Sequence, residues 1–150
     1  MGDDGVGIQV LRSLKENTPP RADLDFKEIS VGGIKLLEEI LDYKNVFIID
    51  SIESATTVGD INEFSPEKFD NTRHESAPHA VNFITALELY KKLEPHRIPE
   101  KIRIFTIGIK TEFVFTENLT PTIQAAASRL TKSLGKELNR IHNLSLYPKL

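Results

Sequence analysis

The sequence predicts an α/β fold, a three-layer sandwich around a mostly parallel central sheet, and three observations carry that reading. Helical periodicity and extended apolar runs alternate along the chain. The stretch "NVFIID" at 45–50 is a continuous apolar run of the kind buried on both faces of a central strand. Two glycine turns, "GDDGVG" and "VGGIKLL", each lead straight into a helical pattern. A chain of 150 residues, 39% of them hydrophobic, suits one domain over 1–150 with a sizeable core.

The elements follow in order. Val6, Val10, Leu11 and Leu14 recur at helical spacing, and the two prolines of "NTPPR" end that helix. "DLDFKEIS" sets Leu24, Phe26, Glu28 and Ser30 on one face against Asp25, Lys27 and Ile29, which predicts a strand. "VGGIKLLEEIL" is a turn and a short helix, "NVFIID" a buried strand, and "TVGDINEF" a more polar edge strand. "HAVNFITALELYKKL" is a helix with Phe83, Ile84, Leu87 and Tyr90 inward, and "KIRIFTIGI" a strand. Finally Ile123, Ala127, Leu130, Leu134, Leu138 and Ile141 form a helical stripe behind "LTPT", where Thr120 can cap and Pro121 suits the first helical position. One strand is owed at the front, because a glycine turn entering a helix normally follows a strand.

Composition excludes several classes. The chain has no cysteine, so disulfides, thiolate metal sites and cysteine nucleophiles are out and the chemistry falls to oxygen and imidazole groups. A net charge of −3 with interspersed signs offers no basic stripe for nucleic acid. No apolar run approaches the roughly 20 residues needed to span a bilayer, and no signal segment is seen, so the expected location is the cytoplasm.

Candidate chemistry collects at one sheet edge, since loops leaving the carboxyl ends of parallel strands gather where ligands bind. Asp50 ends the strand "NVFII", and Asp3 and Asp4 lie where a first strand would have ended. His79, in "ESAPHAVNF", stands just after a proline at a predicted helix start, where the helix disfavours imidazolium and keeps the metal-binding neutral form. Two carboxylates and a neutral imidazole with an open position suit zinc, nickel or another borderline divalent ion. Simpler roles stand beside this. Asp3 and Asp4 can serve the positive end of a helix, Asp50 can cap the turn "DSIES", His79 can be a capping or surface residue, and Gly32 and Gly33 can supply a tight turn with positive φ. A phosphate cradle is the rival reading of the first glycine loop, but its aspartates put negative charge where phosphate would sit and no lysine follows.

Taken together and in register, "GDDGVG", "VGGIKLL", "FIIDSI", "APHAVNFITAL" and "LTPT" resemble the hydrogenase maturation endopeptidases over nearly the whole chain. The resemblance implies a cytoplasmic endopeptidase, grouped with the aspartic type, that removes a C-terminal extension from the nickel-loaded large-subunit precursor of a nickel-iron hydrogenase. It implies Asp4, Asp50 and His79 as catalytic and metal-contacting positions. The nickel is carried by the substrate, and zinc or cadmium can occupy the same site. Gly32 and Gly33 correspond to the substrate-contacting loop, although Ile34 stands where the family usually has threonine. Asp3 is expected to point elsewhere and to tolerate change to asparagine. The family also begins with a hydrophobic strand ahead of the position of Met1. The expectation is therefore a chain truncated at its N-terminus, with upstream codons filling the gap or a homodimer forming through the exposed strand. A non-catalytic chaperone gripping the hydrogenase C-terminus is the alternative function, and a nucleotide or phosphate module a further one.

Overall fold

The computed structural model describes residues 2–29, 33–53, 57–71, 78–110 and 118–144; within its helices the side chains of 69–71, 78–82 and 142–144 lie outside the description. A 3-10 turn at Gly2–Gly5 runs directly into α1 (Val6–Asn17). Then come α2 (Gly33–Ile40), β1 (Asn45–Glu53), β2 (Ile61–Phe64), α3 (Pro66–Asn71), α4 (Pro78–Leu93), a 3-10 turn at Pro95–Arg97, β3 (Lys101–Ile109) and α5 (Pro121–Leu144).

The described strands form a sheet in the order β1-β3-β2. β1 and β3 are parallel, with Val46 opposite Ile102 and Asp50 opposite Thr106. β2 pairs antiparallel with β3 through Ile61–Ile107 to Phe64–Ile104. Successive side chains on a strand point to opposite faces, and the core divides accordingly. Phe47, Ile49, Phe105, Ile107 and Ile109 join α1 and α5 in one apolar cluster. Val46, Ile48, Ile52, Ile102 and Ile104 join α2 and α4 in the other. The fold is thus mixed α/β with a small open sheet that contains parallel pairing.

Most of each predicted helical stripe is buried: Val6, Val10 and Leu14 on α1; Phe83, Ile84 and Leu87 on α4; and Ile123, Ala127, Leu130, Leu134 and Leu138 on α5, while Leu11, Tyr90 and Ile141 are half-buried. Four elements differ from the sequence reading. The edge strand expected over 57–64 is confined to Ile61–Phe64, with a turn before it. β1 runs to Glu53, because Ser51, Ile52 and Glu53 find register partners in Ile107, Gly108 and Ile109. Residues 24–29 of the expected second strand are not in a strand. Their alternation is real, with Leu24 buried and Asp25 and Lys27 exposed, but a strand needs a ladder partner, and a cavity lined by both segments separates them from β1. Finally, α3 was missed although "SPEK" carries a start signal: the Lys68 amide donates to Ser65 Oγ at 3.4 Å, with Pro66 at the first helical position.

Candidate functional site

The first glycine loop is held against β1 by close backbone approach. A Cβ on Gly7 would lie 2.7 Å from the carbonyl oxygen of Ile49 and 3.5 Å from the Asp50 Cα, so only glycine lets the first turn of α1 rest on the strand there. The Ser51 hydroxyl donates to the Asp4 carbonyl oxygen at 3.4 Å. Asp3 fixes the same loop from its other side. Its carboxylate accepts the Thr120 amide at 2.8 Å and the Thr120 hydroxyl at 2.9 Å, while the Thr120 carbonyl accepts the Gln124 amide as α5 begins. Asp3 therefore serves the positive end of a helix, as the simpler reading allowed, but the helix is α5 and not α1.

Asp4 and Asp50 line one cavity of about 380 Å³. Its walls are apolar along most of their length, from Ile8 and Leu11 of α1 to Ile48 of β1 and Ile40 of α2, and the buried Thr106 also belongs to its lining. The Asp50 side chain is solvent-accessible and its Oδ1 accepts the Ser51 amide at 2.8 Å. By alternation Asp50 lies on the face of Val46, Ile48 and Ile52, which is the face covered by α4.

His79 stands in the first turn of α4 (Pro78–Leu93), as the sequence predicts; its side chain lies outside the described residues. β3 follows α4 and starts at the edge where β1 starts. A helix packed on that face and leading into β3 has its N-terminus towards the carboxyl ends of the strands; Asp50 lies in the carboxyl-terminal half of β1, inside the strand and not at its end. Among the described residues no three histidine, aspartate or glutamate side chains converge. Gly33 opens α2 at φ 63°, a left-handed conformation that explains the glycine. Gly32 lies outside the described residues. Ile34 is half exposed at 50%, and α2 contributes Leu36, Glu39 and Ile40 to the cavity wall. Sequence reasoning missed Gly7, whose signal was the third glycine of the loop, and Thr106, which carried none.

Residues 8–137 match the family described as hydrogenase maturation protease. The chain belongs to the hydrogenase maturation proteases. Solved structures of that family share its fold. The hydrogenase maturating endopeptidase HybD from E. coli superposes with a TM-score of 0.71 at 17% identity, covering 97% of this chain and 87% of that one. The [NiFe] hydrogenase maturation protease HybD from Thermococcus kodakarensis gives 0.64 at 25% identity, over 91% and 90%. HycI from Thermococcus kodakarensis KOD1, also a [NiFe] hydrogenase maturation protease, gives 0.66 at 18%, over 92% and 85%. No curated protein matches the chain. As a maturation protease the chain is a hydrolase, with a hydrogenase large-subunit precursor as the substrate its family implies. The phosphate-cradle reading has no support in this membership.

Proposed function

We propose that the protein is a cytoplasmic endopeptidase that removes the C-terminal extension of a nickel-iron hydrogenase large subunit after nickel has been inserted. The observation that carries this reading is that Asp4 and Asp50, from two separate segments, line the same cavity in a chain of this family. α4, whose first turn holds His79, packs on the face of β1 that carries Asp50.

Nickel is part of the substrate in this reading. Carboxylate and imidazole donors suit such a borderline divalent ion, and they would equally accept zinc or cadmium in a test. Asp4, Asp50 and His79 recognise the loaded precursor, which makes nickel insertion the condition for cleavage. Water adds to the carbonyl carbon of the scissile bond, the carbon–nitrogen bond breaks, and the departing amine takes up a proton. One carboxylate of the pair takes the proton of the attacking water as general base, which is the sense in which the enzyme is aspartic-type. The outer edge of β1, which pairs with no strand among the described residues, is the surface through which a homodimer would pair.

The test is processing of nickel-loaded precursor, read as the mass lost with a C-terminal peptide. Asp4→Asn, Asp50→Asn and His79→Ala are each expected to lower the rate by at least about 100-fold while leaving the melting temperature unchanged. Normal processing by the His79 variant removes the three-residue site. Binding of the precursor without any mass loss in the unmodified protein gives the chaperone reading instead, and equal cleavage of nickel-free precursor removes the role of the metal.

A further inference from the structure

Among the described residues Thr106 is the one buried polar side chain. It lies in the middle of β3 with only 2% of its surface exposed, directly opposite Asp50 in the parallel register. Paired residues of neighbouring strands point to the same face, so its side chain shares the side of the sheet that carries Asp50. On either side along that face stand Ile104 and Gly108. The threonine lines the cavity together with Asp4 and Asp50, and among the described residues its hydroxyl has no hydrogen-bond partner.

A buried hydroxyl without a partner is destabilising, by an amount comparable to the hydrogen bond it forgoes. Valine has nearly the same shape and would fill this position beside Ile104 without that penalty, so burial alone does not account for threonine here. The partner is then supplied by whatever enters the cavity. Ligand sites of this type are apolar in most of their lining, with a few polar groups that fix orientation; here Asp50, opposite Thr106, and Asp4 of the same lining are carboxylates that accept and cannot donate when ionised. A hydroxyl donor beside two acceptors answers a ligand carbonyl.

We propose that Thr106 is a substrate-binding residue whose hydroxyl donates to a main-chain carbonyl of the precursor next to the bond that is cut. This rests on the endopeptidase reading and adds to it a main-chain contact that does not depend on nickel. The hydrogen bond orients the extended peptide so that its scissile carbonyl faces Asp4 and Asp50.

Thr106→Val and Thr106→Ser are compared with Asp50→Asn in two measurements: kcat/KM on nickel-loaded precursor, and titration of a nickel-free peptide spanning the cleavage site. Thr106→Val is expected to lower kcat/KM and peptide affinity together, by roughly five- to fiftyfold, with a melting temperature equal to or above that of the unmodified protein. Thr106→Ser, which restores the donor, is expected to stay within about twofold. The proposal is overturned if the valine variant binds and processes normally, or if serine loses as much as valine. A lower melting temperature for the valine variant also overturns it, because the hydroxyl then has its partner inside the protein. Normal processing by Asp50→Asn counts against the endopeptidase site itself, and the peptide titration of the valine variant still decides the role of Thr106.

Discussion

Asp3 and Asp4 are neighbours in sequence with separate tasks. Asp4 lines the cavity, whereas both carboxylate oxygens of Asp3 are taken by the amide and hydroxyl of Thr120. The change Asp3→Asn keeps this geometry, since the amide oxygen can accept the Thr120 N–H and the amide nitrogen can donate to the hydroxyl. It is expected to melt within a degree or two of the unmodified protein and to process precursor normally. Asp3→Ala loses both bonds and leaves the start of α5 untied, at a cost of about 1–2 kcal/mol. Denaturant unfolding of the two variants checks this, and equal losses in both would assign the effect to charge alone. Asp3 is turned to Thr120 and is absent from the cavity lining that holds Asp4 and Asp50. Its partner, 117 residues later, was beyond any local pattern.

At the scale of elements, the consequential feature is the outer edge of β1. Among the described residues β1 pairs only with β3, and the cavity runs beside it, walled by α1, α2 and residues 24–29. α1 begins at the Asp50 end of β1, as the contact of Gly7 with Ile49 and Asp50 requires. A segment placed directly ahead of Gly2 would therefore lie parallel to β1. Fusing about six to eight alternating or apolar β-forming residues there is expected to raise the melting temperature by at least about 5 °C, because it adds ladder hydrogen bonds and fills apolar space. The same fusion should convert any dimer that pairs through this edge into monomer, by sedimentation. An unchanged melting temperature would mean that the edge takes no strand. The alternation at 24–29 was legible in the sequence, but whether those residues join a ladder depends on what occupies this space.

Across the whole molecule, Arg103 ties β3 to three other elements on the face away from Asp50. Its guanidinium lies over the rings of Phe47 and Phe105, 5.2 Å from each centroid. It is bonded to Glu63 of β2 and to Glu137 of α5 at 2.8 Å. Hydrogen bonds from Arg140 and then Arg103 hold the Glu137 carboxyl down at about 2, against an ordinary value of 4.5. A lowered carboxyl value stabilises the folded state fully above the unfolded value, and that contribution is lost as the pH falls towards the folded one. The melting temperature is therefore expected to carry a decline between about pH 4.5 and pH 2 that Glu137→Gln removes. The part at stake is on the order of 1 kcal/mol after solvent screening. Calorimetry across that range checks it, and an identical acid limb in the glutamine variant would assign the decline to other carboxylates.

The sequence by itself determined the helices that face the core and the strands "NVFII" and "KIRIFTIGI", because periodicity and burial are local consequences of where apolar side chains recur. It also carried the family, through five short motifs in register. Tertiary structure decided what depends on a distant partner. The carboxylate of Asp3 went to α5, β1 extended to Glu53 once β3 supplied partners, residues 24–29 stayed out of a ladder, and Thr106 came to rest beside Asp50 on the cavity wall. Each is a hydrogen bond or close approach between segments far apart in the chain, and one-dimensional spacing holds no information about which backbone groups meet.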